Sequence, residues 1–201
     1  MKMLSIFICV LLLAACNNNS YNNTISTEPI PQSVSTLGDS ATNFFPVTSY
    51  LKGEILGIKN GGITPVRKIT IAGKTDSSWI KMEELEKVLA AFLSPIIDSV
   101  NLKNTFDQKV FKDETVNAFT FTADPKNIQT NTFAFKHWDV YVDPESNKVT
   151  RIYLLKKESA DKTLQLTWQA GKWSKIITLK NVAGKTTVEK EEKISWSFDQ
   201  D

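Results

Sequence analysis

The sequence predicts an α+β fold: two N-terminal helices packed on one face of an antiparallel, curved meander sheet of about six to eight strands. Three observations lead there. Apolar residues recur at three- and four-residue steps in two segments before residue 98. After residue 105 the period switches to two, and turn residues rather than helices separate the later segments. The chain has 201 residues, 41% of them hydrophobic and 23% charged, which suits one domain with a polar tail. With 24 Lys and Arg against 22 Asp and Glu, it builds no extended field of one sign. Nucleic acid is therefore not an expected partner.

The first helix begins near Phe44. Val47, Tyr50, Leu51, Ile55 and Ile58 share a face, with Asn43 as a capping residue and Pro46 near the first turn. Gly61 and Gly62 end it, and Pro65 to Gly73 reads as a short strand. A second helix is expected over 76–98. Asp76, Ser77 and Ser78 offer caps there, and Glu83, Glu84 and Glu86 complement the helix dipole. Trp79, Met82, Leu85, Leu89, Phe92, Leu93 and Ile96 supply its apolar stripe, and Pro95 kinks or ends it.

Hairpins follow. Phe106–Phe111 and Val116–Phe121 flank residues 112–115, and Phe133–Val142 and Val149–Leu155 flank Asp143-Pro144-Glu145-Ser146-Asn147-Lys148. Leu164–Trp168 and Trp173–Ile177 flank residues 169–172, and a last strand runs near Glu192 to Phe198. Alternation assigns faces. Trp138, Val140 and Val142 point one way, and His137, Asp139, Tyr141 and Asp143 the other. The mixed run Lys190-Glu191-Glu192-Lys193 reads as a solvated face.

The N-terminus carries an address. Lys2 precedes an apolar run from Leu4 to Leu13, shorter than the roughly 20 residues a membrane-spanning helix needs. Leu13-Ala14-Ala15-Cys16 resembles the lipobox of bacterial lipoproteins. That resemblance implies cleavage before Cys16, acyl chains such as palmitate on the new N-terminus, and a membrane anchor through Cys16. The chain then divides into a signal peptide at 1–15, a lipidated cysteine with a flexible tether at 16–42, and one domain at 43–201. The tether is rich in Asn, Ser and Thr, with Pro29 and Pro31, and shows no apolar period. Cys9 lies in the signal and Cys16 is consumed by lipid, so neither disulfide nor thiol chemistry is expected. Asn17 is not the aspartate that retains enteric lipoproteins in the inner membrane. The expected location is therefore the outer membrane of a Gram-negative bacterium, facing the periplasm or the cell surface. Asp39-Ser40-Ala41 and Asp98-Ser99-Val100 resemble a short O-glycosylation motif of Bacteroidetes-type bacteria, with Ser40 in the tether the better candidate.

His137 is the single histidine, and no Gly-x-Ser-x-Gly elbow occurs, so classical hydrolase triads and most zinc sites lack their parts. No metal or cofactor is expected. His137, Asp139 and Tyr141 form a candidate polar surface site, whose alternative is an ordinary solvated strand face. Asp143 and Glu145 lack the spacing of a calcium loop, and Asp143 is expected to cap its turn. Trp138, Tyr153, Trp168, Trp173 and Trp196 form either a ligand-binding aromatic surface or the core of the sheet. Phe44-Phe45-Pro46-Val47-Thr48 and the segment His137 to Glu145 resemble uncharacterised lipoproteins of Bacteroidetes-type bacteria. This covers residues 44–198 and implies the compartment without an activity. At the level of fold, a curved sheet with helices in its mouth would resemble periplasmic lipoprotein carriers, and a flatter one cystatin-like modules. The functional expectation is a non-catalytic, lipid-anchored binding module for a protein, glycan or lipid. The alternatives are an envelope assembly accessory and a hydrolase using carboxylates alone.

Overall fold

The computed structural model describes residues 44–197; Phe198, the signal, Cys16 and the tether lie outside the described residues. One long helix, α1 (Val47–Asn60), leads into the hairpin β1 (Val66–Ile71) and β2 (Lys74–Trp79). Short helical turns follow: a 3₁₀ turn at Met82–Glu84, α2 (Leu85–Val88), α3 (Ala90–Leu93) and α4 (Ser99–Leu102). Seven strands complete the chain: β3 (Phe106–Asp113), β4 (Ala118–Pro125), β5 (Phe135–Val142), β6 (Val149–Lys157), β7 (Lys162–Gln169), β8 (Trp173–Val182) and β9 (Lys185–Ser195). All pairs are antiparallel, in the order β2-β1-β9-β8-β7-β6-β5-β4-β3. The sheet is open, and charged residues such as Lys74 on β2 and Lys109 and Lys112 on β3 guard its edges. Among the described residues no helix is long and apolar enough to cross a membrane.

One face of this sheet is packed by the protein's own chain. Trp138 on β5 and Trp168 on β7 are fully buried, and Trp196 nearly so. The Trp138 ring meets Phe44 and Phe106, while Trp168 meets Phe92 edge-on at 5.6 Å and Trp196 at 4.8 Å. From α1, Val47, Leu51 and Ile55 enter the same cluster, joined by Leu85, Leu89, Phe92 and Ile97. Polar bonds fix the overlay. The Thr48 hydroxyl accepts the Ile97 amide at 2.8 Å, and Lys156 donates to the carbonyl of Ser94 at 2.6 Å. Lys59 pairs with Glu86 at 2.5 Å, tying α1 to α2.

The structure corrects four sequence expectations. The sheet has nine strands among the described residues, because residues 74–79 form β2 rather than the start of a helix. Ala72 and Gly73 both adopt positive φ, the requirement of a two-residue type I′ connection, and fold β2 back on β1. Trp79 thus leaves the proposed apolar stripe and stands 69% exposed. The second helix is broken at Leu89, and Ile97 rather than Ile96 is buried. The final strand starts at Lys185, and its pleat separates the charge run: Lys190 and Glu192 face the core side, Glu191 and Lys193 the other. Glu192 is only 4% exposed, so it belongs to the core and not to a solvated face.

Glu192 accepts from Arg67 Nε at 2.7 Å and from Lys190 Nζ at 2.9 Å. Burial opposes its ionisation, but the hydrogen bonds and charges of Arg67 and Lys190 prevail and hold its carboxyl below the usual value. Because Arg67 lies on β1, this pair clamps the first hairpin to the last strand.

Two predictions follow from these features. Glu192→Gln should lower the unfolding free energy by about 2–3 kcal/mol in a urea titration, less than for a wholly buried pair because both cations reach water. Glu191→Gln should change it by no more than about 0.5 kcal/mol. Ala183, which with Gly184 repeats the Ala-Gly connection at positive φ, should gain about 0.5–1 kcal/mol on Ala183→Asn, since asparagine tolerates that conformation better.

Candidate functional site

The face opposite the helices is built from every second residue of the strands. β4 and β5 pair Thr122 with Asp139, and β5 and β6 pair Asp139 with Tyr153 and Tyr141 with Arg151. Asp124, one pleat beyond Thr122, comes up beside His137. The sequence places His137, Asp139 and Tyr141 on one strand face, and the structure brings them together as part of a larger cluster.

His137 sits between two carboxylates. Its Nδ1 lies 2.8 Å from Asp124 Oδ1 and its Nε2 3.0 Å from Asp139 Oδ2. The hydrogen bond to Asp139 is the largest cause, reinforced by Asp124 and opposed by partial burial, and the imidazole pKa rises to about 9. Near neutral pH the ring is therefore an imidazolium that donates through both nitrogens. For Asp139, burial opposes ionisation, but bonds from His137 and Thr122 and the imidazolium charge hold the carboxyl below its usual range. Thr122 donates to Asp139 Oδ1 at 2.6 Å, and the Tyr141 hydroxyl approaches Oδ2 at 3.5 Å. Arg151 lies over the Tyr141 ring at 4.0 Å. Burial, then Asp139, raises the phenol pKa of both Tyr141 and Tyr153.

Beside this cluster a shallow hollow of about 170 Å³ is bordered by Tyr141, Thr150, Arg151 and Gln169. A larger cleft of about 610 Å³ lies at the sheet's β3 end, between Leu102 and Asn104 on one side and Asn127, Thr130 and Phe133 on the other.

The aromatic set divides. Trp138, Trp168 and Trp196 are core residues, each packed on other rings, and cannot face a ligand. Tyr153 and Trp173 stand half-exposed on the outer face, where Trp173 has Lys193 Nζ at 4.9 Å from its ring centroid. Asp143 caps its turn as expected, accepting the amides of Glu145 and Ser146 at 3.0 and 2.6 Å. Cys16, Leu13, Ala14, Ala15 and Ser40 lie outside the described residues.

Sequence reasoning missed Thr122, Asp124 and Arg151. Alternation showed which residues share a strand face, but the partners of His137 depend on the β4–β5 register, and the nine residues between those strands, 126–134, conceal it. No protein-family model matches the chain, and neither a curated protein nor a solved structure matches it.

The His137 clamp makes stability depend on pH. The proton is held more tightly in the folded state, so the stabilisation is complete below the unfolded pKa near 6.5 and is lost as pH rises through about 9. Unfolding free energy should fall by about 1–2 kcal/mol between pH 6.5 and 9.5, solvent at Asp124 screening the rest. In His137→Gln this component of the profile should flatten, as followed by denaturant titration at each pH.

Proposed function

We propose that the chain is a non-catalytic, lipid-anchored protein of the outer membrane that binds a protein or glycan across the open face of its sheet. One observation carries this reading: the protein's own helical segments fill one face, leaving the other to present His137, Tyr141, Tyr153, Arg151 and Trp173 to solvent. In a lipid carrier the ligand needs an apolar hollow against the sheet. Here α1, Phe92 and three tryptophans occupy that position, which favours protein or glycan over lipid.

The chemistry of the site points the same way. A general base needs a free lone pair near neutral pH, whereas His137 is protonated and committed to two carboxylates. Asp124 and Asp139, the acidic pair that a carboxylate hydrolase would use, both spend their charge on that imidazolium. A cluster so neutralised is rigid and polar, properties that suit recognition better than proton transfer.

The reading has two parts, each with its own measurement. Cys16→Ala should move the protein from the membrane to the soluble fraction and abolish labelling by an alkyne-tagged palmitate. A photo-crosslinking benzoylphenylalanine at Tyr153 should trap a specific adduct in intact cells, while the same group at the exposed α1 residue Leu56 should not. Equal labelling from both positions would refute the open face as the binding face.

A further inference from the structure

Three lysines stand side by side on the outer face. The register sets Lys175 of β8 opposite Lys193 of β9, and Lys193 opposite Lys68 of β1. Neighbouring strands are about 4.8 Å apart, so three ammonium-bearing side chains share one cross-strand row. Like charges directly opposite one another weaken a sheet. Fold stability therefore gives no reason for the arrangement.

The surroundings do little to neutralise it. Glu191 faces the same side and reaches Lys175 at 4.0 Å, the outer limit of an ion pair. Among the described residues neither Lys68 nor Lys193 enters an ion pair. The facing groups from neighbouring strands are Thr70, Thr75, Ser77, Ser195 and Thr167, all neutral and able to hydrogen-bond. Trp173 lies one pleat along from Lys175, with Lys193 Nζ at 4.9 Å and Lys175 Nζ at 6.0 Å from its ring centroid. The indole thus holds the ammonium groups over an apolar plane rather than against carboxylates.

We propose that this row binds an acidic glycan, a chain of uronic acid residues whose carboxylates lie on Lys68, Lys175 and Lys193 and whose sugar rings pack beside Trp173. The proposal rests on the outer face being the binding face and supplies its ligand class. Charge complementarity selects an anion. The inter-strand step is comparable with the advance of one pyranose unit in an extended chain, which lets a linear polyuronate cross β8, β9 and β1 with successive lysines in reach. The hydroxyl-bearing neighbours suit sugar hydroxyls. An anionic membrane would instead favour apolar side chains projecting among the lysines, where this row has Ser77, Ser195 and Thr167.

The test uses the full-length protein extracted from its membrane and titrated with oligogalacturonate, oligomannuronate, a neutral cello-oligosaccharide and phosphatidylglycerol vesicles. At least one acidic oligosaccharide should bind, with affinity falling as salt rises, and the cello-oligosaccharide should not. The double variant Lys68→Gln, Lys193→Gln should weaken that binding at least ten-fold. It should melt no lower than wild type, because the change relieves repulsion. Lys109→Gln, on the same face beside Thr122, should bind as wild type. Binding of neither acidic glycan, equal binding by the double variant, or binding of vesicles alone would each overturn the assignment. Repeating the Tyr153 crosslink in the double variant separates the two readings. An adduct that persists without glycan binding removes the ligand class and keeps the binding face; absence of any adduct in wild type removes the face itself.

Discussion

The pairing of β1 with β9 is the constraint on which the rest of this structure depends. It joins the start of the folded chain to its end and sets β2 and β3 at opposite edges of the sheet. The chain between those two strands, residues 80–105, must then cross the whole sheet, a distance of roughly 38 Å over eight inter-strand steps. It does so along one face. Its apolar residues Leu85, Leu89, Phe92, Ile97 and Leu102 become the lid of the core because topology leaves them no other place. The ion group of Glu192 with Arg67 and Lys190 sits at this junction, where a charge taken out of water has value only if both sides of the joint are in register.

That crossing also decides which face is available. A single-layer sheet has two faces, and here the core uses one of them completely. The other presents polar and aromatic side chains that are partly shielded by their neighbours without being covered. It is polarised: Asp107, Asp124 and Asp139 lie on β3, β4 and β5 towards one edge, while Lys175, Lys193 and Lys68 occupy β8, β9 and β1 towards the other. The acidic end is balanced internally by the His137 imidazolium. At the basic end Glu191 alone approaches a lysine, and that contrast gives the face its direction.

The two Ala-Gly connections, at 72–73 and 183–184, show how little sequence a hairpin needs. Each places a non-glycine residue at positive φ, and each is followed by Lys and Thr. The glycine accepts its conformation freely, whereas the alanine bears a steric cost that the flanking ladders of β1–β2 and β8–β9 offset. The weak local signal of Ala-Gly, compared with Asn-Gly, is the reason that β2 read as a helix start.

The sequence by itself determined the α+β class, the antiparallel hairpins from Phe106 to Val182, the core side of Trp138, Leu166, Trp168 and Ile194, and the capped turn at Asp143. These follow from period-two alternation and short-range turn chemistry, which act over a few residues and leave their mark in composition. Only the tertiary structure decided the rest. It recruited the first hairpin to the last strand and buried Glu192. It also brought Asp124 to His137 and lined up three lysines from β1, β8 and β9. Those outcomes depend on register between segments up to 125 residues apart, as for Arg67 and Glu192. Strand register is set by the summed packing of a whole face, so no local pattern records it.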